Sequence, residues 1–325
     1  MLDLLGSRQR FLLSGHEHPD GDCLGSQVGL FHLLETLGAE VSIYNPDPVL
    51  PSLAFLGEQT PIRNHAHHPV PSADVVILLD CAELSRLGSL AAELRRQSPR
   101  IAVIDHHVGS EHGDGSVCLV DTTAAATGVL VYELYEHFGV EVGPAAAEGL
   151  FVSLVADTGW FRYSNTDPRT LAIAAQLVEA GAAPDKLYDR LYRGTDPRSL
   201  GLLSESLARH QLRLGGRFGF TVFDQQLMQR VGDAGFDTDT VLEAIRSVRG
   251  IEVAALFKSI HDGVKLSLRS MGRVDVQRIA ARFGGGGHTK ASGATIRLPV
   301  AAAVAEVEQA VAEALAALPG EPSGR

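Results

Sequence analysis

Cysteine is scarce in this 325-residue chain: Cys23, Cys81 and Cys118 stand far apart and form no CxxC pair. That excludes a disulfide framework and reads as reduced thiols in a cytoplasmic protein. No uninterrupted apolar stretch is long enough to cross a bilayer. Asp3, Arg8 and Arg10 interrupt any early apolar run, so no signal peptide is expected. Positive charge is also in short supply. A net charge of −11 argues against a protein that coats long nucleic acid. Internal repeats are missing, and the only biased segment is an Ala-rich last helix.

Hydrophobic residues make up 45% of the chain and charged residues 21%, a soluble globular composition. The length exceeds what one core of ordinary size supports, so two domains are expected. Charge is uneven. Between Val241 and Val300 stand ten lysines and arginines against four acids, a local +6 that leaves −17 for the remainder.

Apolar runs read as strands over Arg10 to Ser14, Glu40 to Tyr44, Asp74 to Asp80 and Arg100 to Asp105. A helical spacing of apolar residues runs from Ser26 to Leu37 and stops at Gly38. The third and fourth strands are apolar on both faces, which indicates a parallel, doubly wound sheet. Helices are expected from Ala124 to about His210. Strands are expected over Phe218 to Phe223, Ile251 to Ser259 and Val264 to Ser270, and a helix over Val274 to Phe283. The fold class is therefore α/β: a doubly wound, mostly parallel sheet domain and a smaller C-terminal α/β domain, with the active site in the cleft between them. The expected boundaries are 1–195 for the catalytic domain, 196–215 for a linker helix and 216–325 for a substrate-binding domain.

The chemistry gathers at strand ends. The first strand runs into His16, Asp20 and Asp22, the third ends in Asp80, and the fourth ends in Asp105, His106 and His107. In open α/β sheets ligands bind outside the carboxyl ends of the strands, so these clusters should converge. Asp157, at the end of an apolar helical run, adds a further carboxylate. Carboxylates crowded in one cleft repel unless cations or protons intervene. A carboxylate- and imidazole-rich set without thiolate suits Mn²⁺ or Mg²⁺. Two such ions can activate water and polarise a phosphoryl oxygen. Gly21 permits the bend that turns Asp20 and Asp22 toward different ions. Alternation along the chain lets one of His106 and His107 ligate while the other faces substrate. Taken singly, each of these residues has a plain reading as a cap, a turn or a core histidine; the joint pattern is what points to a site. The cluster His65, His67 and His68 has no acid beside it and reads as a surface loop.

These motifs, in this order, resemble the four motifs of the DHH phosphoesterase superfamily. The run from Phe283 through four glycines to His288, Ala291 and Gly293 resembles the glycine-rich motif of the DHH-associated domain. The resemblance spans residues 10 to about 315 and is greatest to the compact nanoRNase/pAp-phosphatase branch. It implies one ion held by His16, Asp20 and Asp80, and another held by Asp22, Asp80, His106 and Asp157. Asp80 would bridge, His107 would contact the scissile phosphate, and Asp105 would support the histidines. It further implies that Gly286, Gly287, His288 and Arg269 bind substrate, since consecutive glycines let backbone N–H groups approach an anion. Two divalent ions are the expected cofactors, Mn²⁺ favoured and Mg²⁺ the alternative. The expected partner is short RNA or a small nucleotide such as 3'-phosphoadenosine 5'-phosphate (pAp), with no long nucleic acid and no membrane; a homodimer is left open. The alternatives are a phosphodiesterase for cyclic di-AMP or its linear product, an inorganic pyrophosphatase of the same superfamily, and a degenerate nucleotide-binding regulatory protein.

Overall fold

A computed structural model describes residues 1–318 except 8, 111, 112, 116, 194, 195, 235 and 288. The chain divides into two compact units, Met1–Gly194 and Thr195–Arg325.

In the first unit a short α1 (Leu2–Leu5) precedes β1 (Arg10–Ser14), α2 (Gly21–Thr36), β2 (Glu40–Asn45), β3 (Ile62–Asn64) and β4 (Val75–Leu79). There follow α3 (Leu90–Gln97), β5 (Arg100–Asp105), β6 (Val117–Val120), α4 (Thr127–Phe138), α5 (Pro144–Thr158), α6 (Pro168–Glu179) and α7 (Pro184–Tyr192). The six strands are all parallel, in the order β3-β2-β1-β4-β5-β6. All five residues of β4 are buried, as a strand covered on both faces requires. The order reverses at β1, so the crevice between the carboxyl ends of β1 and β4 is the place where such sheets bind ligands.

Helix α2 begins earlier than the apolar spacing alone suggests, at Gly21 rather than Ser26. Asp20 caps it: the Asp20 side chain accepts from the N–H groups of Asp22 and Cys23. Helices α2 and α5 meet backbone to backbone. A Cβ added at Gly25 would stand 2.2 Å from the Gly149 carbonyl oxygen, and one at Gly21 would stand 2.7 Å from Ala156 Cβ. Only a glycine at position 25 allows this approach, and the approach draws the start of α2 against the end of α5.

The second unit holds α8 (Arg198–Ala208), β7 (Gln211–Arg213), β8 (Phe218–Phe223), α9 (Gln225–Ala234), α10 (Asp239–Arg246), β9 (Val253–Ile260) and β10 (Gly263–Ser270). It ends with α11 (Val276–Ala281), β11 (Gly286–Gly287), β12 (Ala291–Ile296) and α12 (Val300–Ala316). Its sheet runs β11-β12-β10-β9-β8-β7 and is antiparallel except between β8 and β9. Val264, Leu266 and Leu268 of β10 pack with Val307 and Val311 of α12 in one core. On the other face Ala254 and Leu256 of β9 pack with Leu202 of α8 and Leu242 of α10. The helix α8 thus packs as part of this unit. Among the described residues no helix is long and apolar enough to cross a membrane.

Candidate active site

Five segments deliver the chemistry of the first unit. The loop after β1 carries His16, and the capped start of α2 carries Asp20 and Asp22. Asp80 follows β4 directly, Asp105 ends β5 with His106 and His107 just beyond it, and Asp157 lies in the last turn of α5. Asp80 has a φ of +60°, a conformation that L-residues other than Asn and Asp rarely accept. The strand therefore turns sharply at Asp80, and its carboxylate is buried among the histidines.

All seven residues expected to ligate metal or contact the scissile phosphate are brought together. His16 Nε2 lies 3.3 Å from Asp80 Oδ2. His106 Nε2 lies 3.6 Å from Asp22 Oδ2, 3.6 Å from Asp80 Oδ1 and 3.2 Å from Asp157 Oδ2. His107 Nδ1 lies 3.6 Å from Asp80 Oδ1. Three groups place ligand atoms within 4.8 Å of one another: His16–Asp20–Asp80, Asp22–His106–Asp157 and Asp80–His106–His107. Asp80 is shared by the first and third, and His106 by the second and third. The exposed segment His65–His68 forms no such group among the described residues; His65 Nε2 instead bonds Ser89 Oγ at 2.7 Å.

The imidazoles are oriented from behind. His16 Nδ1 donates to the Glu17 carbonyl at 2.8 Å, and His106 Nδ1 donates to the Ala124 carbonyl at 3.1 Å. Each ring therefore turns Nε2 toward the carboxylates. Asp105 lies behind His107: its Oδ1 accepts from His107 Nδ1 at 2.8 Å and from the backbone N–H groups of His106 and His107. Ser110 Oγ donates to Asp105 Oδ2.

The carboxylates repel one another and draw protons. Asp20 sits at the rim, but its carboxyl is crowded by protein; lost hydration, then Asp80 and Asp157, lift it to about 6. Burial, then the same two neighbours, pushes Asp22 well above the ordinary range. Burial acts to lower His16 and His106, yet the Asp80 carboxylate bonded to His16 and the Asp157, Asp80 and Asp22 carboxylates close to His106 outweigh it and raise them to about 9 and about 12. His107 rises likewise, against its burial, through Asp105 and Asp80. Asp80 is held below its ordinary value because the neighbouring imidazoles of His106, His16 and His107 overcome its burial.

Three residues that sequence reasoning passed over hold Asp22. The N–H groups of Thr127 and Gly128, at the start of α4, reach Asp22 Oδ2 at 2.8 Å and Oδ1 at 3.2 Å. Ser153 Oγ donates to Asp22 Oδ1 and accepts from Gly128 N–H at 3.0 Å. The Thr127 hydroxyl donates to Asp80 Oδ1 at 3.2 Å. The one available signal was a serine in an otherwise apolar helix, which reads as core.

In the second unit the glycine-rich segment is exposed at the sheet edge. Gly284 and Gly287 have φ of +71° and +127°, and a Cβ at Gly285 would stand 2.1 Å from the Gly293 carbonyl oxygen. A pocket of about 610 Å³ lies beside it, lined in part by Arg269, Gly286 and Gly287. Arg269 Nη2 is paired with Asp239 Oδ2 at 2.9 Å. His288, expected to complete this set, lies outside the described residues.

The model of the DHH family N-terminal domain matches residues 10–153, and that of the DHHA1 domain matches residues 229–318. The bifunctional oligoribonuclease and PAP phosphatase NrnA of Thermus thermophilus is 34% identical over 304 residues, covering 93% of this chain and 89% of that protein. The chain belongs to the DHH phosphoesterase family. The NrnA protein of Bacillus subtilis is 28% identical over 291 residues, 88% of each chain. The same fold occurs in an exopolyphosphatase-related protein from Bacteroides fragilis, with a TM-score of 0.86 and 22% identity, covering 96% of this chain and 94% of that one.

Members of the DHH phosphoesterase family are hydrolases that depend on divalent metal, and these residues fit one. His106 Nε2 is buried without a hydrogen-bond partner, with three carboxylates around it. Oxygen and imidazole donors with no thiolate in the groups suit a hard or borderline divalent ion.

Proposed function

We propose that this DHH phosphoesterase hydrolyses short oligoribonucleotides and pAp, using two divalent ions with Mn²⁺ favoured. The observation that carries the reading is one continuous cluster: Asp80 is shared by the groups His16–Asp20–Asp80 and Asp80–His106–His107, and His106 is shared in turn with Asp22 and Asp157. The oligoribonuclease and PAP phosphatase named among its relatives supports the substrate class.

When bound, two divalent ions lower the pKa of a water nucleophile and offset charge on phosphoryl oxygens. The chain supplies the rest. His16, Asp20 and Asp80 would hold one ion, and Asp22, His106 and Asp157, with Asp80 beside them, would hold the other. His107 carries a proton raised by Asp105 and donates it as a hydrogen bond to the scissile phosphate. The Asp105 carboxylate keeps that ring in one orientation through hydrogen bonds to its Nδ1 and to the local backbone. In the second unit Arg269, Gly286 and Gly287, with His288 in the sequence motif, bind nucleotide. The basic window against an acidic chain favours ligands with few phosphates.

The test is a panel of pAp, a diribonucleotide, cyclic di-AMP and pyrophosphate with Mn²⁺. Hydrolysis of the diribonucleotide and pAp ahead of the others is expected. Preference for pyrophosphate, or no turnover of any nucleotide, would overturn the reading.

A further inference from the structure

The loop that carries His16 and Asp20 holds one more imidazole, on the side away from His107. His18 stands two residues from each of these ligands and directly before Pro19. Its φ is +55°, a left-handed conformation that few side chains accept and that a following proline restricts further. Such outliers persist only where the surroundings enforce them, and they gather at functional sites.

Strand β1 lies between β2 and β4, and the loop after it is tied to the segments that follow both. Glu17 N–H donates to the Arg86 carbonyl, beyond β4, at 2.8 Å. His18 N–H donates to Asp47 Oδ2, two residues beyond β2, at 2.8 Å, and His18 Nδ1 lies 3.2 Å from the same oxygen. One carboxylate oxygen thus holds both backbone and ring, and it turns Nε2 outward. Asp105 does the same for His107 through its N–H and Nδ1. The sheet order β2-β1-β4-β5 therefore puts one Asp-braced histidine on each flank of the ligand cluster. The two differ in depth: the His18 side chain is 89% exposed, against 34% for His107 and 12% for His16. Holding an exposed side chain in one place costs rotamer entropy. At such exposure packing offsets little of that cost, whereas a ligand contact would.

We propose that His18 contacts the substrate: it meets the nucleoside attached to the scissile phosphate on the His16–Asp20 side, while His107 meets the phosphate itself. A ring at the rim, rather than among the carboxylates, stands beside the part of the substrate that extends out of the cluster. An imidazole suits a nucleoside, since its ring stacks on bases and its outward nitrogen can bond a base edge or a sugar hydroxyl. Asp47 positions the ring. The inference rests on the nucleotide reading above and deepens it: the first unit recognises nucleoside as well as phosphate.

The experiment measures kcat/KM of the full chain with Mn²⁺ for ApA and for bis(p-nitrophenyl) phosphate, which has no nucleoside, together with Mn²⁺ affinity by calorimetry. His18→Gly accepts the positive φ and deletes only the ring. It should lower kcat/KM for ApA about tenfold, the value of one hydrogen bond or stacked base. The artificial diester should change far less, and Mn²⁺ affinity should stay as in wild type. Asp47→Ala, which releases the ring, should lower the ApA/diester ratio in the same direction by a smaller factor. Wild-type ApA kinetics in His18→Gly would overturn the contact and leave residue 18 as a bend in the loop. An equal fall on both substrates, with or without weaker Mn²⁺ binding, would overturn it too, because ring or loop would then act at the metals. If wild type hydrolyses no nucleotide, the reading above fails by itself. Calorimetric binding of AMP to the Mn²⁺-loaded protein then decides His18: weaker binding in His18→Gly supports the contact, and equal binding, or none by either protein, overturns it.

Discussion

Replacing Ser153 by alanine tests how the Asp22 carboxylate is held for its metal. Asp22 is fully buried and accepts from three groups: Thr127 N–H, Gly128 N–H and the Ser153 hydroxyl. The substitution removes the hydroxyl alone, so the contact of α2 with α5 at Gly25 and Gly149 stays intact. It deletes one of three donors to a buried charge and also removes the acceptor at 3.0 Å from Gly128 N–H. A hydrogen bond to a charged group contributes about 1.5–3 kcal/mol, and loss of a ligand's outer partner weakens metal binding roughly 10–100-fold. Mn²⁺ titration of the chelated protein, followed by calorimetry and electron paramagnetic resonance, should show one affinity falling by about that factor. The affinity assigned to His16, Asp20 and Asp80 should remain, because none of the three bonds Ser153. If a folded Ser153→Ala protein gives the wild-type isotherm, the hydroxyl merely fills space and the positioning argument fails.

Other consequences follow from the same geometry. Asp80→Ala should lower kcat by roughly a thousandfold or more, since the shared ligand is lost; a folded variant with wild-type kcat would displace the site. Because residue 80 has a φ of +60°, Asp80→Gly should be more stable than Asp80→Ala by about 1 kcal/mol in urea unfolding. Gly25→Ala should destabilise the first unit by about 2 kcal/mol or more, because its Cβ would stand 2.2 Å from Gly149 O and 2.8 Å from Ser153 N; unchanged unfolding would refute the close helix contact. Iodoacetamide followed by mass spectrometry should label exposed Cys118 in the native protein and spare Cys23 and Cys81, whose thiols are raised by burial.

The central strands were legible because β4 and β5 are apolar on both faces, a pattern few other elements share. The short edge strands β3, β6, β7 and β11, and β12 beside β11, were not. Two to six residues, with glycine or exposed polar side chains among them, carry no usable period. Helices α9 and α10 also went unread, within a segment interrupted by glycine and aspartate. The ligand set was legible as motifs at strand ends. What escaped was its support: the peptide N–H groups of Thr127 and Gly128, the Ala124 carbonyl and Ser153. Backbone groups leave no trace in residue identity, and a buried serine in an apolar helix looks like packing. The tie of His18 to Asp47 was hidden too, since it depends on strand order.

The dependence of dinucleotide hydrolysis on Mn²⁺ occupancy tests the central claim most directly. Chelated protein is titrated with Mn²⁺ while bound metal and initial rate are measured in the same samples. The account predicts almost no turnover with one equivalent bound, and a rate that climbs as the second binds and levels off at two. A rate that reaches its plateau at one equivalent, or that persists after exhaustive chelation, would contradict it.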